Sequence, residues 1–411
     1  METIPLLKEK RIVLGITGGI AAYKACTLAS HLTQAGARVD VVMTEAATRF
    51  VTPLTFEALT GRPAYTSMWR TSDEALPTHI AHVGLAHAAD LLVIAPATAN
   101  TMAKLAQGLA DNLLSTLALA AQCPLLLAPA MDVGMWAHPA TQANVAVLRE
   151  RGAALAGPAQ GRMASGLEGE GRLVEPDEIL GHVRRVLGRD GPLAGRRVVV
   201  SAGPTEEPID PVRFLSNPSS GRQGFALSQA AVDRGATVTL VTGPTHLETP
   251  VGFERVDVRT VEEMKEAVVE ASETADALLM AAAVGDYAPT EVAAQKVKKR
   301  AEDLTLRLTR TPDILAAVAE RRSKTDHPRF VVGFAAETED LLENARKKLE
   351  AKSLDLVVAN DVTAADAGFG TETNRVVLLS RDGESMELPL MSKSGVAERI
   401  MDRVVDLLGE G

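Results

Sequence analysis

The chain has 411 residues, long for a single hydrophobic core, so its length favours two domains. A hydrophobic fraction of 46% with 3% aromatics implies cores built mainly of Ala, Val and Leu, and the net charge of −10 excludes the basic field that non-specific nucleic-acid binding requires. Two cysteines, Cys26 and Cys123, make neither a disulfide framework nor a zinc spacing, which points to a reducing cytoplasm.

In chain order, a basic stretch at Lys8–Arg11 followed by an apolar run mimics a signal peptide. Gly15, Gly18 and Gly19 break that run, and Tyr23 and Lys24 interrupt it. The better reading is a strand over 11–16, a Gly18–Gly19 turn and a helix over 21–35 closed by Gly36. A strand over 38–43 follows. Short continuous apolar runs over 91–95 and 125–128 have the character of buried parallel strands. The apolar stretch 113–131 is long enough to suggest a membrane span. Its Pro124, Pro129 and polar Ser115, Thr116 and Gln122 instead predict a buried helix, a turn at Cys123-Pro124 and a buried strand.

The pattern then restarts. A strand over 196–201 ends in Ala202-Gly203-Pro204, a helix over 224–234 is closed by Gly235, and a strand over 237–241 follows. The boundary falls in the linker-like 188–195, giving domains 1–188 and 189–411. Further strands are predicted over 277–280, 330–334 and 356–359, and helices over 340–352 and 396–408. Asp382-Gly383 marks a hairpin between 376–379 and 386–388. The fold class is α/β, with two Rossmann-like, doubly wound domains.

Two places carry chemistry. Gly15-Ile-Thr-Gly-Gly-Ile-Ala follows a strand and opens a helix, a turn that aims backbone N–H groups at an anion. Thr44 ends the second strand where a dinucleotide site would have a ribose-binding acid, so a mononucleotide is favoured over NAD. A tight βα turn without ligand stays open for this segment alone. The loops 95–104 and 128–136, rich in small residues, hydroxyls and an amide, suit a flat ring with polar edges. His82, with His79 and His87 nearby, is a surface residue or a base. In the second half, the long loop 202–224 leads into a helix N-terminus, and Lys296-Val-Lys298-Lys299-Arg300 is a cationic run just after Asp286. An Asp at a strand end beside cations suits a metal–triphosphate or a ribose. Lys348 and Lys352, four apart on one helix, add to such a clamp. The bland readings are an Ω-loop and a solvated face.

The segments ITGGIAAYK, HVGLAHAADLLVIAPATANTMAKLAQGLADNLLST and APAMDVGMW resemble the flavin-dependent cysteine decarboxylases over nearly all of 8–185. They match best the decarboxylase half of the bifunctional phosphopantothenoylcysteine decarboxylase/phosphopantothenate–cysteine ligase family. The segments AGPTEEPIDPVRFLSNPSSGRQG, AAAVGDY, KVKK, TPDIL, VGFAAET and AND resemble its ligase half over roughly 195–400. The resemblance implies an N-terminal flavodoxin-like flavoprotein domain and a C-terminal doubly wound ligase domain. It places FMN on the Gly18-Gly19 turn, with Thr17, Ile20, Thr44, Thr98, Asn100 and Ser115 as neighbours and His82 as catalytic base. It implies CTP held by Asp286, Lys296, Phe334, Lys348 and Lys352, with Pro312, Asp313, Ile314 and Leu315 lining the nucleotide. Asn217 matches the asparagine that holds an acyl-cytidylate, and Lys296 would neutralise charge at phosphorus.

Three departures accompany it. Asp132 stands where the family has Asn, Ser165 where it has a proton-donating Cys, and Thr311 where it often has Asn. An ionised Asp132 would repel a substrate carboxylate unless protonated or turned away, and a serine hydroxyl is a far weaker acid than a thiol.

The implied chemistry is ligation of phosphopantothenate to cysteine with CTP and Mg²⁺, then redox-neutral decarboxylation through a thioaldehyde and an enethiolate. The partners implied are small molecules, without nucleic acid or membrane, in a cytoplasmic homo-oligomer of trimeric flavin domains and paired ligase domains. No metal ligands are assigned. Three other readings are a dinucleotide oxidoreductase, disfavoured by the missing ribose acid and the Lys296 run; a peptide-cysteine decarboxylase, which leaves the second half unexplained; and a non-catalytic flavin-binding regulator, against which His82 and Lys296 weigh.

Overall fold

The computed structural model describes residues 2–69, 81–298, 304–337, 341–361 and 371–409. His79, Lys299, Arg300 and Asp340 lie outside the described residues. Contacts divide the chain into two compact units, Met1–Gly188 and Arg189–Gly411.

The first unit opens with β1 (Arg11–Ile16), α1 (Lys24–Gln34), β2 (Arg38–Met43), α2 (Pro53–Thr60) and β3 (Ala64–Tyr65). It continues with α3 (Ala81–Ala88), β4 (Leu91–Ala97), α4 (Ala99–Gln107), α5 (Leu113–Ala120) and β5 (Leu125–Pro129). It closes with α6 (Val133–Ala137), α7 (Pro139–Glu150), β6 (Ala154–Leu155), the hairpin β7 (Ala159–Arg162) and β8 (Glu168–Arg172), and α8 (Pro176–Gly188).

The parallel sheet runs β3-β2-β1-β4-β5-β6. Apart from the two-residue edge strand β3, the strands follow the flavodoxin-like order, which reverses between β1 and β4. Side chains alternate across the sheet. Ile12, Leu14 and Ile16 join Leu28, Leu32, Ile179 and Val183 on the α1/α8 face, whereas Val13 joins Met102, Leu117 and Val145 on the α4/α5/α7 face.

Asp40, in the middle of β2, is fully buried and accepts hydrogen bonds from Arg11 Nε at 2.5 Å and Arg62 Nε at 2.8 Å. The acid of the second strand is therefore committed to structure, well short of the strand's carboxyl end. Removing one partner of such a pair costs about 3–5 kcal/mol, because the other is left as an uncompensated buried charge.

The predicted helix over 21–35 differs at its start. Residues Ile20–Tyr23 form a 3₁₀ turn and α1 begins at Lys24. The stretch 113–131 divides into α5 and β5 as predicted, and no helix among the described residues is long and apolar enough to cross a membrane.

The second unit contains β9 (Arg197–Ala202), β10 (Glu206–Pro208), β11 (Phe214–Ser216), α9 (Arg222–Val232), β12 (Thr237–Thr242) and β13 (Phe253–Asp257). Next come α10 (Val261–Ser272), β14 (Ala277–Met280), β15 (Tyr287–Pro289), β16 (Leu308–Arg310) and α11 (Ile314–Thr325). After them come β17 (Phe330–Glu337), α12 (Leu341–Ala351), β18 (Leu356–Asp361) and β19 (Thr373–Asn374). The unit ends with β20 (Val376–Ser380), β21 (Ser385–Glu387), β22 (Met391–Ser392) and α13 (Lys393–Gly409).

The main sheet runs β13-β12-β9-β14-β17-β18-β20-β21, parallel as far as β18 and antiparallel beyond it. Its order reverses between β9 and β14. Helices α9 and α13 cover one face, through Phe225, Leu227, Val396 and Ile400. Helices α10, α11 and α12 cover the other, through Met264, Val318 and Leu349. Each unit therefore has a topological switch point at the carboxyl ends of its strands, the place where open α/β sheets bind ligands.

Two candidate active sites at the switch points

In the first unit Thr17 spans the switch point. Its buried hydroxyl donates to Pro96 O at 2.6 Å and accepts from Thr98 N at 3.2 Å, fastening the loop after β1 to the loop after β4. Gly18 has no room for a side chain, since a Cβ there would lie 2.4 Å from Ala46 Cβ. Gly19, in extended backbone, precedes the 3₁₀ turn with no side-chain cap. The first N–H groups of that turn are thus left for an anion. Ile20 is exposed beside them.

Thr44 caps the next turn, accepting from Ala47 N at 3.3 Å. Thr98 caps α4, accepting from Thr101 N at 3.4 Å, and Asn100 lies exposed in that helix's first turn. Ser115 is buried and occupied in the capping box of α5. Its N–H donates to Asn112 Oδ1 at 3.0 Å, and its Oγ accepts from Asn112 N at 3.2 Å. The structure thus brings the two glycines, Thr17 and Thr98 together and gives the Ser115 hydroxyl a local role.

His82 lies on α3, and its Nδ1 is buried with no hydrogen-bond partner among the described residues. Burying an unpaired ring nitrogen is costly, and such an atom marks a place for a ligand group.

The hairpin β7–β8 docks on the loop between β5 and α6. Met131 N donates to Gly171 O at 2.9 Å, and a Cβ on Gly171 would sit 2.4 Å from Met131 O. Trp136 Nε1 donates to Glu170 Oε2 at 3.1 Å. In the hairpin's turn, Ser165 Oγ donates to Asp132 Oδ2 at 2.6 Å. Asp132 also caps α6, its Oδ1 accepting from Gly134 N at 3.1 Å. These two donors, Ser165 first, hold its carboxyl below the usual carboxylate range. Sequence reasoning singled out Ser165 and Asp132 separately and missed both their contact and the part played by Glu170. No local sequence signal links residues 33 positions apart.

The glycine cradle, the uncapped turn and the orphaned His82 nitrogen fit a phosphate-bearing flavin. The absence of an acid at the end of β2 fits a mononucleotide better than a dinucleotide.

In the second unit a cavity of about 750 Å³ opens at the switch point. Ala282 N donates to Ser201 Oγ at 3.1 Å, and Ala283 N to Gly203 O at 2.9 Å, joining the strand ends beneath it. Asn217, carried by the loop that follows the small β10–β11 ladder, lines the cavity and donates from Nδ2 to Ala283 O at 2.8 Å. Asp286 and Phe334 line it after β14 and in β17. Pro312, Asp313, Ile314 and Leu315 form the α11 entrance on the same cavity.

Thr311, where the family often has Asn, donates from Oγ1 to Gly285 O at 2.6 Å and so fastens that entrance to the β14 loop. Lys348 Nζ donates to Phe334 O at 2.6 Å, and Lys352 is ion-paired with Asp313. Burial would raise the Asp313 carboxyl, but Lys352 and the α11 N–H groups prevail and hold it below the usual range. Lys296 is exposed and is not among the residues lining the cavity. Asp210 organises the neighbouring loop, accepting from Arg213 Nε at 3.0 Å and from Val297 N at 3.1 Å. Among the described residues no cluster of three or more His, Cys, Asp or Glu is set to hold a metal.

Residues 4–188 match the family model described as flavoprotein, and residues 193–408 match that of the DNA/pantothenate metabolism flavoprotein C-terminal domain. The coenzyme A biosynthesis bifunctional protein CoaBC of Bacillus subtilis is 46% identical over 405 residues, covering 98% of this chain and 98% of its own length. That of Mycobacterium tuberculosis is 46% identical over 411 residues, with 97% of each chain covered.

The chain belongs to the coenzyme A biosynthesis bifunctional protein family.

A crystal structure of the C-terminal domain of a family member, coenzyme A biosynthesis bifunctional protein CoaBC, matches at 38% identity with a TM-score of 0.45, covering 53% of this chain and 97% of that one. Arg222, Asn374 and Lys393 also line the second cavity. Sequence reasoning passed over them as functional residues. Arg222 carried only the signal of a glycine-rich loop entering a helix, and Lys393 carried none.

Proposed function

We propose that this chain catalyses two consecutive steps of coenzyme A biosynthesis: ligation of 4'-phosphopantothenate to cysteine with CTP and Mg²⁺, then FMN-dependent decarboxylation of 4'-phosphopantothenoylcysteine to 4'-phosphopantetheine. The observation that carries this reading is one switch point in each family-matched unit, with the uncapped Gly18-Gly19 turn at the first and a cavity lined by Asn217, Asp286, Lys348 and Lys352 at the second.

In the ligase step the acid's carboxylate attacks the α-phosphorus of CTP and pyrophosphate leaves. The amine of cysteine then attacks the acyl carbon, CMP departs, and the amide nitrogen loses a proton. The Asn217 amide orients the carboxylate beside Ala283. Lys348, Lys352 and Lys296 offset triphosphate charge, and Asp286 faces the Mg²⁺ or the ribose. Residues 312–315 line the nucleotide.

In the decarboxylase unit FMN, when bound, supplies reversible two-electron redox chemistry, so loss of CO₂ needs no external oxidant. The Gly18-Gly19 turn with Thr17, Ile20, Thr44, Thr98, Asn100 and the α5 start at Ser115 would hold it. His82 takes the substrate proton. Ser165 relays a proton, and Asp132, turned toward Ser165, keeps its charge away from the substrate carboxylate.

A cytoplasmic homo-oligomer, with trimeric flavin modules and paired ligase modules, completes the proposal. Ile20, Tyr23, Phe50 and Leu54 are large apolar side chains exposed on the first unit, which assembly would cover.

The test is incubation with phosphopantothenate, cysteine, CTP and Mg²⁺ followed by mass analysis. The expected products are phosphopantetheine, CMP, pyrophosphate and CO₂ in equal amounts. A protein that stays colourless in FMN and consumes no CTP refutes the proposal.

A further inference from the structure

The second cavity has cationic groups arriving from both faces of its sheet. From the α10/α11/α12 face come Lys348 and Lys352, already engaged with Phe334 O and Asp313. From the opposite face, α9 and α13 both begin at the cavity, and their first residues are Arg222 and Lys393.

These two helix starts are tied together, since Gln223 Nε2 donates to Lys393 O at 3.2 Å. Gln223 Oε1 is buried with no hydrogen-bond partner among the described residues. Lys393 is 9% exposed, and burial, reinforced by the nearby Arg222 guanidinium, pulls its amine below the usual lysine range. Arg222 has Glu372 at 3.6 Å, a carboxylate largely in solvent. Arg222 and Lys393 thus bring two cationic side chains to the same cavity wall at the positive ends of two helices, an arrangement that favours an anionic ligand group there.

The two substrates of the proposed ligase each bring an anionic end: a triphosphate, and a phosphate monoester at the far end of the acid. Asn217 and Ala283 mark the switch point where the reacting carboxylate and phosphorus meet. One cation pair lies on each side of the sheet around it.

We propose that Arg222 and Lys393 form a phosphate subsite that anchors the phosphate monoester of the acid substrate, leaving the Lys348/Lys352 side to the nucleotide. This rests on the ligase reading and adds to it the group that selects the phosphorylated acid over its unphosphorylated form.

The test is equilibrium titration of the full chain with phosphopantothenate and with pantothenate, in the absence of CTP, followed by ligase kinetics. Arg222→Gln and Lys393→Gln should each weaken phosphopantothenate about tenfold or more, the loss expected for a charge-assisted hydrogen bond. Pantothenate binding and the KM for CTP should not move, so the preference for the phosphorylated acid shrinks. Arg222 is exposed, so its variant tests the subsite even if Lys393→Gln perturbs folding.

A rise in the KM for CTP instead, equal weakening of both acids, or no change with Arg222→Gln overturns the subsite. Should the wild type bind phosphopantothenate through Arg222 yet ligate nothing, the subsite stands and the ligase reading falls. Absence of phosphopantothenate binding to the wild type removes the subsite.

Discussion

Ser165 and Asp132, the two residues of the first site that depart from the family pattern, are bonded to each other: the serine hydroxyl donates to the carboxylate at 2.6 Å. The two departures are therefore in direct contact. The carboxylate is turned toward the hairpin and the start of α6, and its charge is already engaged. Replacing Ser165 with Ala removes the donor without crowding the turn. Decarboxylation should slow by about tenfold or more, the lower part of what a positioned proton carrier contributes, while flavin absorbance stays unchanged. Ser165→Cys should retain activity, because the neighbouring carboxylate disfavours the thiolate and keeps the thiol able to donate. Single-turnover rates of both variants check this.

His82 offers a buried Nδ1 with no partner among the described residues. His82→Asn should keep the flavin and lower CO₂ release by about 10²–10⁴-fold, the range for loss of a general base. Ligase activity should be unaffected, since His82 lies in the first unit and the proposed ligase site in the second. An unchanged decarboxylation rate would remove His82 from the mechanism.

At Gly18 a methyl group would collide with Ala46 Cβ at 2.4 Å and with Ala46 C at 2.8 Å. Overpacking of this kind costs about 1–3 kcal/mol. The flavin cradle must open to relieve it. Gly18→Ala should purify with FMN content reduced several-fold, read from absorbance, with ligase turnover intact.

The Arg213 guanidinium, reinforced by the N–H groups of Val212, Val297 and Arg213, holds the Asp210 carboxyl far below its ordinary value of 3.8. A depressed carboxyl contributes stability above its unfolded pKa, and that contribution is lost as pH falls through the folded value. The Tm difference between wild type and Asp210→Asn should therefore be constant from neutral pH to about pH 4 and shrink in stronger acid. A difference that persists undiminished at low pH would mean that the ion pair is not its source.

Lys296 sits outside the cavity lining in this conformation. If it neutralises charge at phosphorus, it acts after the segment moves onto bound nucleotide. Lys296→Gln should then lower ligase kcat by about 10²-fold or more with a small change in the KM for CTP, and leave decarboxylation untouched. A rise in KM alone would assign it to ground-state binding.

The main strands were legible because buried parallel strands read as continuous apolar runs. The runs beginning at Arg11, Leu91, Ala277 and Leu356 fall where the sheets place β1, β4, β14 and β18. The short ladders β10–β11, β15–β16 and β19–β22 were not anticipated, because two or three residues carry no period. The 3₁₀ turn before α1 was read as helix because its composition is helical and only the uncapped Gly19 distinguishes it.

The sequence by itself determined the two repeated strand–loop–helix beginnings, the glycine turn, the cationic run after Asp286 and, by resemblance, the family. These are local patterns, fixed by residues a few positions apart. Tertiary structure alone decided which distant residues meet: Ser165 with Asp132, Asn217 with Ala283, and Arg222 beside Lys393, 171 positions later in the chain. Such meetings depend on strand order at the switch points and on the sheet face each helix covers. Side-chain contacts across a folded sheet leave no periodic trace in the chain.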